Sequence, residues 1–249
     1  MDHAGAAGRG QSGHPGTQHD GGVRHPRQDP APPERPAVTA GRAERGRHPR
    51  AAQRRAELVG AAYELVVTRG FRGIVVDDIA TAAGVSHGTF YNYFVNKRDI
   101  LDAVIDHCFA LIRVRLLGPE GDDIPTTLDA FCARYARVVD RCYDLVETER
   151  GLVNFLLLEA SSIDDRVLDR CLHHARAYGA QSVEVVRRGI AHRYLDPSLD
   201  PEIAGEVLLS ILVSALLSAL RAGSDGLTQD RVRNQLVSFL RIALAGDPE

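Results

Sequence analysis

The chain has 249 residues, of which 44% are hydrophobic, 6% aromatic with no Trp, and 25% charged, for a formal net charge of −3. That is enough for one or two domains with a sizeable aliphatic core, and the near-neutral balance means that any contact with a polyanion depends on where basic residues sit, not on their number. The longest apolar run, VLLSILVSALLSAL (207–220), is short of the ~20 residues that span a bilayer, and the opening MDHAGAAGRG has no apolar segment, which together argue against a membrane protein and a secretory signal.

Residues 1–49 are rich in Gly, Pro, His and Arg and carry almost no large apolar side chain beyond Val23 and Val38. Such a segment buries too little surface to offset its ordering entropy, so it reads as a disordered arm. Its seven Arg against five acids leave it basic, while residues 50–106 balance seven against seven and the remainder is acidic. Touching DNA non-specifically is one role open to such an arm.

A first helix is predicted from Gln53 to Thr68, with Leu58, Ala62, Leu65 and Val66 on one face and Gly70 at its end. A second starts at Val76, where Val76, Ile79, Ala80 and Ala83 form an apolar face and Gly84 supplies the left-handed stop. Ser86 is placed to cap a third, whose inward face is Phe90, Tyr93 and Phe94. Helix, short Gly-containing turn and helix is the helix-turn-helix layout, whose second helix enters the DNA major groove. A plain helical hairpin is the competing reading. The outward residues His87, Gly88, Thr89, Tyr91 and Asn92 weigh against it, because they are small or hydrogen-bonding and include no Glu or Lys. Gly88 costs a helix ~1 kcal/mol relative to Ala, which close approach to another surface would explain. Arg50, Arg54 and Arg55 around the start of the first helix, and Lys97 and Arg98 at the start of a fourth, are positioned to reach phosphates.

The stretch RAELVGAAYELVVTRGFRGIVVDDIATAAGVSHGTFYNYFVNKRDILDAV resembles the DNA-binding domain of the TetR family of transcriptional regulators, over about 50 of the 249 residues. The shared pattern is Arg69-Gly70-Phe71, Ile79-Ala80, Ala83-Gly84-Val85-Ser86, Gly88-Thr89-Phe90-Tyr91, Tyr93-Phe94 and Asn96-Lys97 before Ile100-Leu101. The resemblance implies that Thr89 and Tyr91 contact phosphates or base edges, that His87, Gly88 and Asn92 approach bases, and that Lys97 anchors a phosphate. With Ser86 and Arg54 these make up the expected DNA-binding set. Two positions depart from the family. Val75 stands where a capping Ser or Thr is usual, which removes a cap worth ~1 kcal/mol. Asp77 places an acid where some members touch DNA, although Asp77 and Asp78 both suit a helix N-terminus.

The fourth helix is predicted from Lys97 to Leu116 and is broken by Gly118-Pro119-Glu120-Gly121. Further helices are predicted over Pro125–Glu147, Arg150–Ala160, Asp165–Arg193, from Pro201 onward, and over Thr228–Ala245. The helix from Pro201 carries the longest apolar run and is apolar nearly all round, so it needs cover on every side. A partner subunit is the natural cover. By resemblance, the helices at about 201–221 and 228–245 form a homodimer interface. The predicted fold is all-α: an arm (1–49), a three-helix head (50–96) and a helical effector-binding and dimerisation domain (97–249).

A ligand pocket is expected among the C-terminal helices, with Tyr135, Tyr143, Asn154 and His173 as candidates and His174 beside them. Asn154 is a polar residue in an apolar stretch and needs a partner if buried. Cys108, Cys132, Cys142 and Cys171 match no zinc pattern and read as reduced core thiols, with a redox sensor as the alternative. No cofactor or metal is implied. Neither a nucleophile elbow, a phosphate-binding glycine loop nor a paired-His zinc motif is present, so the chain is not expected to be an enzyme. The expectation is a cytoplasmic homodimeric repressor that binds a palindromic operator and is released by a small apolar effector. A helical protein-interaction module and an enzyme using the C-terminal cavity are the rivals.

Overall fold

The structure is a computed structural model. It describes residues 40–118, 125–222 and 228–245, with side chains from residue 49 onward. The predicted arm over 1–39 and the predicted break at Pro119 to Gly121 lie outside the described residues. Residues 40–49, assigned above to the arm, are instead the start of a longer first helix, α1 (Ala40–Arg69).

The chain continues through α2 (Val76–Ala82), α3 (His87–Tyr91), α4 (Lys97–Leu117), α5 (Leu128–Thr148) and α6 (Arg150–Asn154). α6 runs on into a π turn (Phe155–Glu159) and a 3₁₀ turn (Ala160–Ser162). Then come α7 (Asp165–Ala191), α8 (Pro201–Leu220) and α9 (Gln229–Leu244). No strand occurs among the described residues. The fold class is all-α, as the periodicity predicts.

Local chemistry sets most of the helix ends. Thr127, Asp164, Asp200 and Thr228 cap α5, α7, α8 and α9 through their side-chain oxygens. At the end of α2, Gly84 has φ +64° and the chain closes with Val85 N–H on Ala80 O (2.9 Å) and Gly84 N–H on Thr81 O (3.1 Å). These paired bonds satisfy carbonyls that the helix end would otherwise orphan. The expected missing cap at α2 is real, since Val75 has no acceptor to offer. Only the reverse half of a capping box remains, with Val75 N–H donating to Asp78 Oδ2 at 2.8 Å.

Two cores hold the protein. The larger joins the head (Leu58, Val66, Ile79, Phe90) to α4 (Ile100, Val104), α5 (Leu145), α6 (Leu152) and α8 (Leu216) without a gap. The expected boundary at residue 96 therefore falls inside one packed region. Phe90 is fully buried, and truncating such a side chain to Ala typically costs ~3–5 kcal/mol. The smaller core gathers Phe131, Val186, Leu195, Leu208, Leu240 and Leu244 from α5 and α7 to α9.

α8 needs a correction. The apolar run alone is too short to cross a bilayer, but the helix that carries it has 20 residues and is long and apolar enough by length and composition. Its inner face, Ala204, Leu208, Ile211, Ala215, Leu216, Ala219 and Leu220, is buried in the protein's own cores. Its outer face is not, and neither is that of α9: Ile203 is 64% exposed, Phe239 57% and Ile242 77%.

Candidate nucleic-acid interface and effector cavity

α3 is a single short helix between two turns. Ser86 Oγ accepts from Thr89 N–H (3.2 Å) and pairs with Thr89 Oγ1 (2.8 Å). Phe90 and Phe94 anchor the helix from beneath, with ring centroids 5.8 Å apart. The helix ends at Tyr91, earlier than the apolar pattern implies, but Phe94 N–H still donates to Phe90 O at 3.1 Å. Above this anchor Ser86, His87, Gly88, Tyr91 and Asn92 are exposed and Thr89 is half-buried. Tyr93 is half-buried against the core.

Gly88 is informative by what surrounds it. A Cβ there would meet nothing nearer than Ser86 Oγ at 4.0 Å. The described residues leave room for a Cβ, so their packing does not require glycine at this position. His87 Nδ1 and Asp77 Oδ1 are in hydrogen-bond contact, and the His87 and Tyr91 rings lie 4.9 Å apart. The acid that looked like a liability to phosphate binding is thus paired with a recognition-helix side chain. Spacing could not reveal this, because the two residues sit on different helices.

The basic residues divide into two groups. Arg54 is exposed and its Nη1 is 2.7 Å from Glu57 Oε2. An exposed pair of that kind contributes little and leaves the guanidinium accessible. Arg55 lies over the Phe94 ring at 4.8 Å. Lys97 and Arg98 depart from expectation. Lys97 Nζ donates to Phe71 O (3.0 Å) and Ile74 O (2.8 Å) and sits 4.3 Å from the Phe71 ring centroid. It straps the α1–α2 turn, whose carbonyls have left helical pairing, and does not stand free as a phosphate anchor. Arg98 faces the C-terminal helices and is bound to Asp164 (2.6 and 3.0 Å) and to buried Asp102 (2.5 Å). Its hydrogen bond to Asp164 is the main reason that its pKa is raised.

In the C-terminal helices a cavity of about 80 Å³ is lined by Tyr135 and Val138 of α5, Tyr178, Ser182 and Val185 of α7, and Leu208 and Leu212 of α8, among others. Burial pushes the Tyr135 hydroxyl well above its usual range, and that of Tyr178 to about 12. Both therefore stay neutral donors at physiological pH. Tyr178 and Gln181 also line a groove of about 200 Å³ with Phe109, Arg113 and His174. Of the four predicted ligand residues only Tyr135 lines the cavity. Tyr143 lies two turns further along α5, half-buried against the larger core. Asn154 is in α6, which does not reach the cavity, and His173 is exposed on α7. His174 sits instead in the adjoining groove, stacked on Phe109 at 4.3 Å and bonded to Asp106. Sequence reasoning missed Tyr178 and Ser182, which share a face of α7 at i and i+4 but are separated from their partners by whole helices.

The four cysteines are free, with Cys108, Cys132 and Cys142 buried and Cys171 half-buried. Burial raises the Cys108 and Cys142 thiols to about 12, which keeps them from the reactive thiolate form. Among the described residues no group of three or more His, Cys, Asp or Glu could hold a metal ion.

A three-helix head with a capped, outward-facing α3 on an all-helical body is the helix-turn-helix layout. Residues 58–104 match the family described as "Bacterial regulatory proteins, tetR family". The chain is similar to the HTH-type transcriptional repressor KstR2 of Rhodococcus jostii strain RHA1, with 31% identity over 108 residues, 42% of this chain and 52% of that protein. It is also similar to the HTH-type transcriptional regulator EthR of Mycolicibacterium smegmatis, with 40% identity over 65 residues, 26% of this chain and 30% of that protein. The chain thus spans about half, or less, of the length of the curated relatives it matches. Among solved structures, the transcriptional regulator FadR of Bacillus subtilis in complex with stearoyl-CoA shares the fold, with a TM-score of 0.58 and 21% identity over 74% of this chain and 96% of that one. These relatives are named as transcriptional regulators, and none of those names describes an enzyme.

Proposed function

We propose that this chain is a cytoplasmic, ligand-responsive transcriptional repressor that binds a palindromic operator as a homodimer and is released by a small apolar effector. The observation that carries the DNA reading is the face of α3 from Ser86 to Asn92. It is exposed and hydrogen-bonding, and at Gly88 it is open in a way the protein's own packing does not require. Exposed Asn92 can read adenine bidentately, and His87 and Tyr91 are exposed on the same short helix. Two such helices related by a two-fold axis would sit in successive major grooves, with half-sites ~10 bp apart or a multiple of that.

The homodimer reading is supported by Ile203, Val207, Phe239 and Ile242, which leave α8 and α9 with an apolar outer face. The effector reading is supported by the cavity around Tyr135. At about 80 Å³ it holds only a few water-sized volumes. An effector larger than that must part α5, α7 and α8 to enter, so it favours an opened state over the closed one. A relative of this fold has been solved with stearoyl-CoA, which suits an effector with a long apolar part.

A gel-shift titration of the full chain against the DNA upstream of its own coding region tests the reading. Binding should weaken steeply, by ~10³-fold or more between 50 and 200 mM salt if six or more phosphates are neutralised. A complex indifferent to salt would point to a head that docks on protein. Turnover of a bound small molecule, followed by mass spectrometry, would point to an enzyme.

A further inference from the structure

We propose that Glu159 is a positioning residue that sets the direction in which each head points, and that the segment from Glu149 to Asp164 carries that setting from α8. The proposal rests on the homodimeric operator reading above. Glu159 Oε1 accepts from the backbone N–H of Phe71 at 2.8 Å, across 88 residues of sequence. The carboxylate lies against Gly70, which has φ +75°, and a Cβ there would come within 3.2 Å of both of its oxygens. Lys97 bonds the same turn at Phe71 O and Ile74 O. The turn from Gly70 to Ile74 is therefore held between one acid of the C-terminal helices and one base of α4. α2 starts at Val76, and its Asp77 touches His87 of α3.

The same segment meets the head at other points. Tyr63 donates its hydroxyl to Glu149 Oε2 at 3.0 Å. Gly151 packs so closely on α1 that a Cβ would fall 2.4 Å from Val67 O. Arg98 is bound to Asp164. At the segment's start, Arg150 Nη2 donates to Leu220 O at 2.7 Å, on the last residue of α8. α8 also supplies Leu208, Leu209 and Leu212 to the cavity wall. A contiguous chain of contacts thus runs from the cavity through α8, Arg150 and Glu159 to the turn in front of the recognition unit.

The π turn explains how Glu159 reaches its place. Ala160 N–H pairs with Phe155 O, five residues back, so the turn contains one residue more than an α-helix would. Without that residue everything beyond it would rotate by about 100°, and Glu159 would face away from Phe71.

The test uses the full chain, the variants Glu159→Ala and Glu159→Gln, and a pool of duplexes that share one half-site pair at spacings differing by single base pairs. The wild type should prefer one spacing over its neighbours by about tenfold or more, within the usual range of coupling between sites. Glu159→Ala should bring neighbouring spacings within about threefold, with base preference inside each half-site and Tm unchanged. Glu159→Gln keeps an acceptor for Phe71 N–H and should restore the preference. Equal weakening at every spacing, altered base preference, or a Gln variant that behaves as Ala would overturn the proposal. Hydrogen exchange provides a readout that does not depend on DNA. In Glu159→Ala the amides from Phe71 to Val75 should exchange about tenfold faster while α5 and α9 are unchanged. Unchanged exchange would overturn the latch itself. Absence of any operator complex, combined with faster exchange, would instead reject the repressor reading and leave the latch standing.

Discussion

The outward face of α3 and the outward face of α8 and α9 are both exposed, and the protein's own packing needs neither of them. They differ in chemistry. The first offers hydroxyls, an imidazole, an amide and a bare glycine; the second offers Ile203, Val207, Phe239 and Ile242. What internal contacts leave unused points to what lies outside: hydrogen-bonding groups suit base edges, and branched and aromatic side chains suit a second apolar surface. On the first face, spare groups sit on a rigid anchor of Phe90 and Phe94. On the second, the spare surface is the helix exterior itself, so a change there is expected to leave the fold intact.

The largest expected effect breaks the apolar face. Ile203→Asp with Phe239→Asp should convert a dimer to a monomer in sedimentation velocity at micromolar concentration, and should lower operator affinity about a hundredfold through loss of the second half-site. A double variant that remains dimeric would move the interface elsewhere. Next comes the polar face. Tyr91→Ala should weaken operator binding about tenfold, the scale of one lost base or phosphate contact, without moving Tm by more than about a degree. A fall in Tm with affinity intact would turn Tyr91 into a packing residue and remove the contrast between the two faces.

A smaller effect sharpens the view of the body that joins them. Burial works against ionised Asp106, but hydrogen bonds from Arg170 and His174 outweigh it and hold the carboxyl below the usual range. A depressed carboxylate contributes stability above its unfolded pKa and loses it as pH falls through the folded value. Asp106→Asn should therefore lower Tm at pH 7, and the gap to wild type should close below about pH 4. A gap that persists in acid would assign the loss to packing. The effect should be modest, because the Asp106 side chain is 45% exposed. The smallest effect is at Tyr194, whose buried hydroxyl has no hydrogen-bond partner among the described residues. Tyr194→Phe should leave urea-unfolding stability unchanged or raise it by up to about 1 kcal/mol. A clear loss would mean that the hydroxyl has found a partner in solution.

Whatever is local along the chain was legible beforehand. The Gly84 stop, the Ser86 and Asp200 caps, the missing cap at Val75, the aliphatic helices and the outward face of α3 all depend on residues within four or five positions of each other. Steric and hydrogen-bonding preferences at that range act before any tertiary contact exists. Tertiary structure alone decided which charges are free. Lys97 and Arg98 follow Asn96 in a familiar motif, yet their partners beyond their own helix are Phe71, Ile74 and Asp164. It also decided that Tyr135 lines a cavity while Tyr143, Asn154 and His173 do not, and that Glu159 sits under Gly70. Pairing across 60 to 90 residues depends on how whole helices pack, and the periodicity of a single helix carries no information about the face of its neighbour.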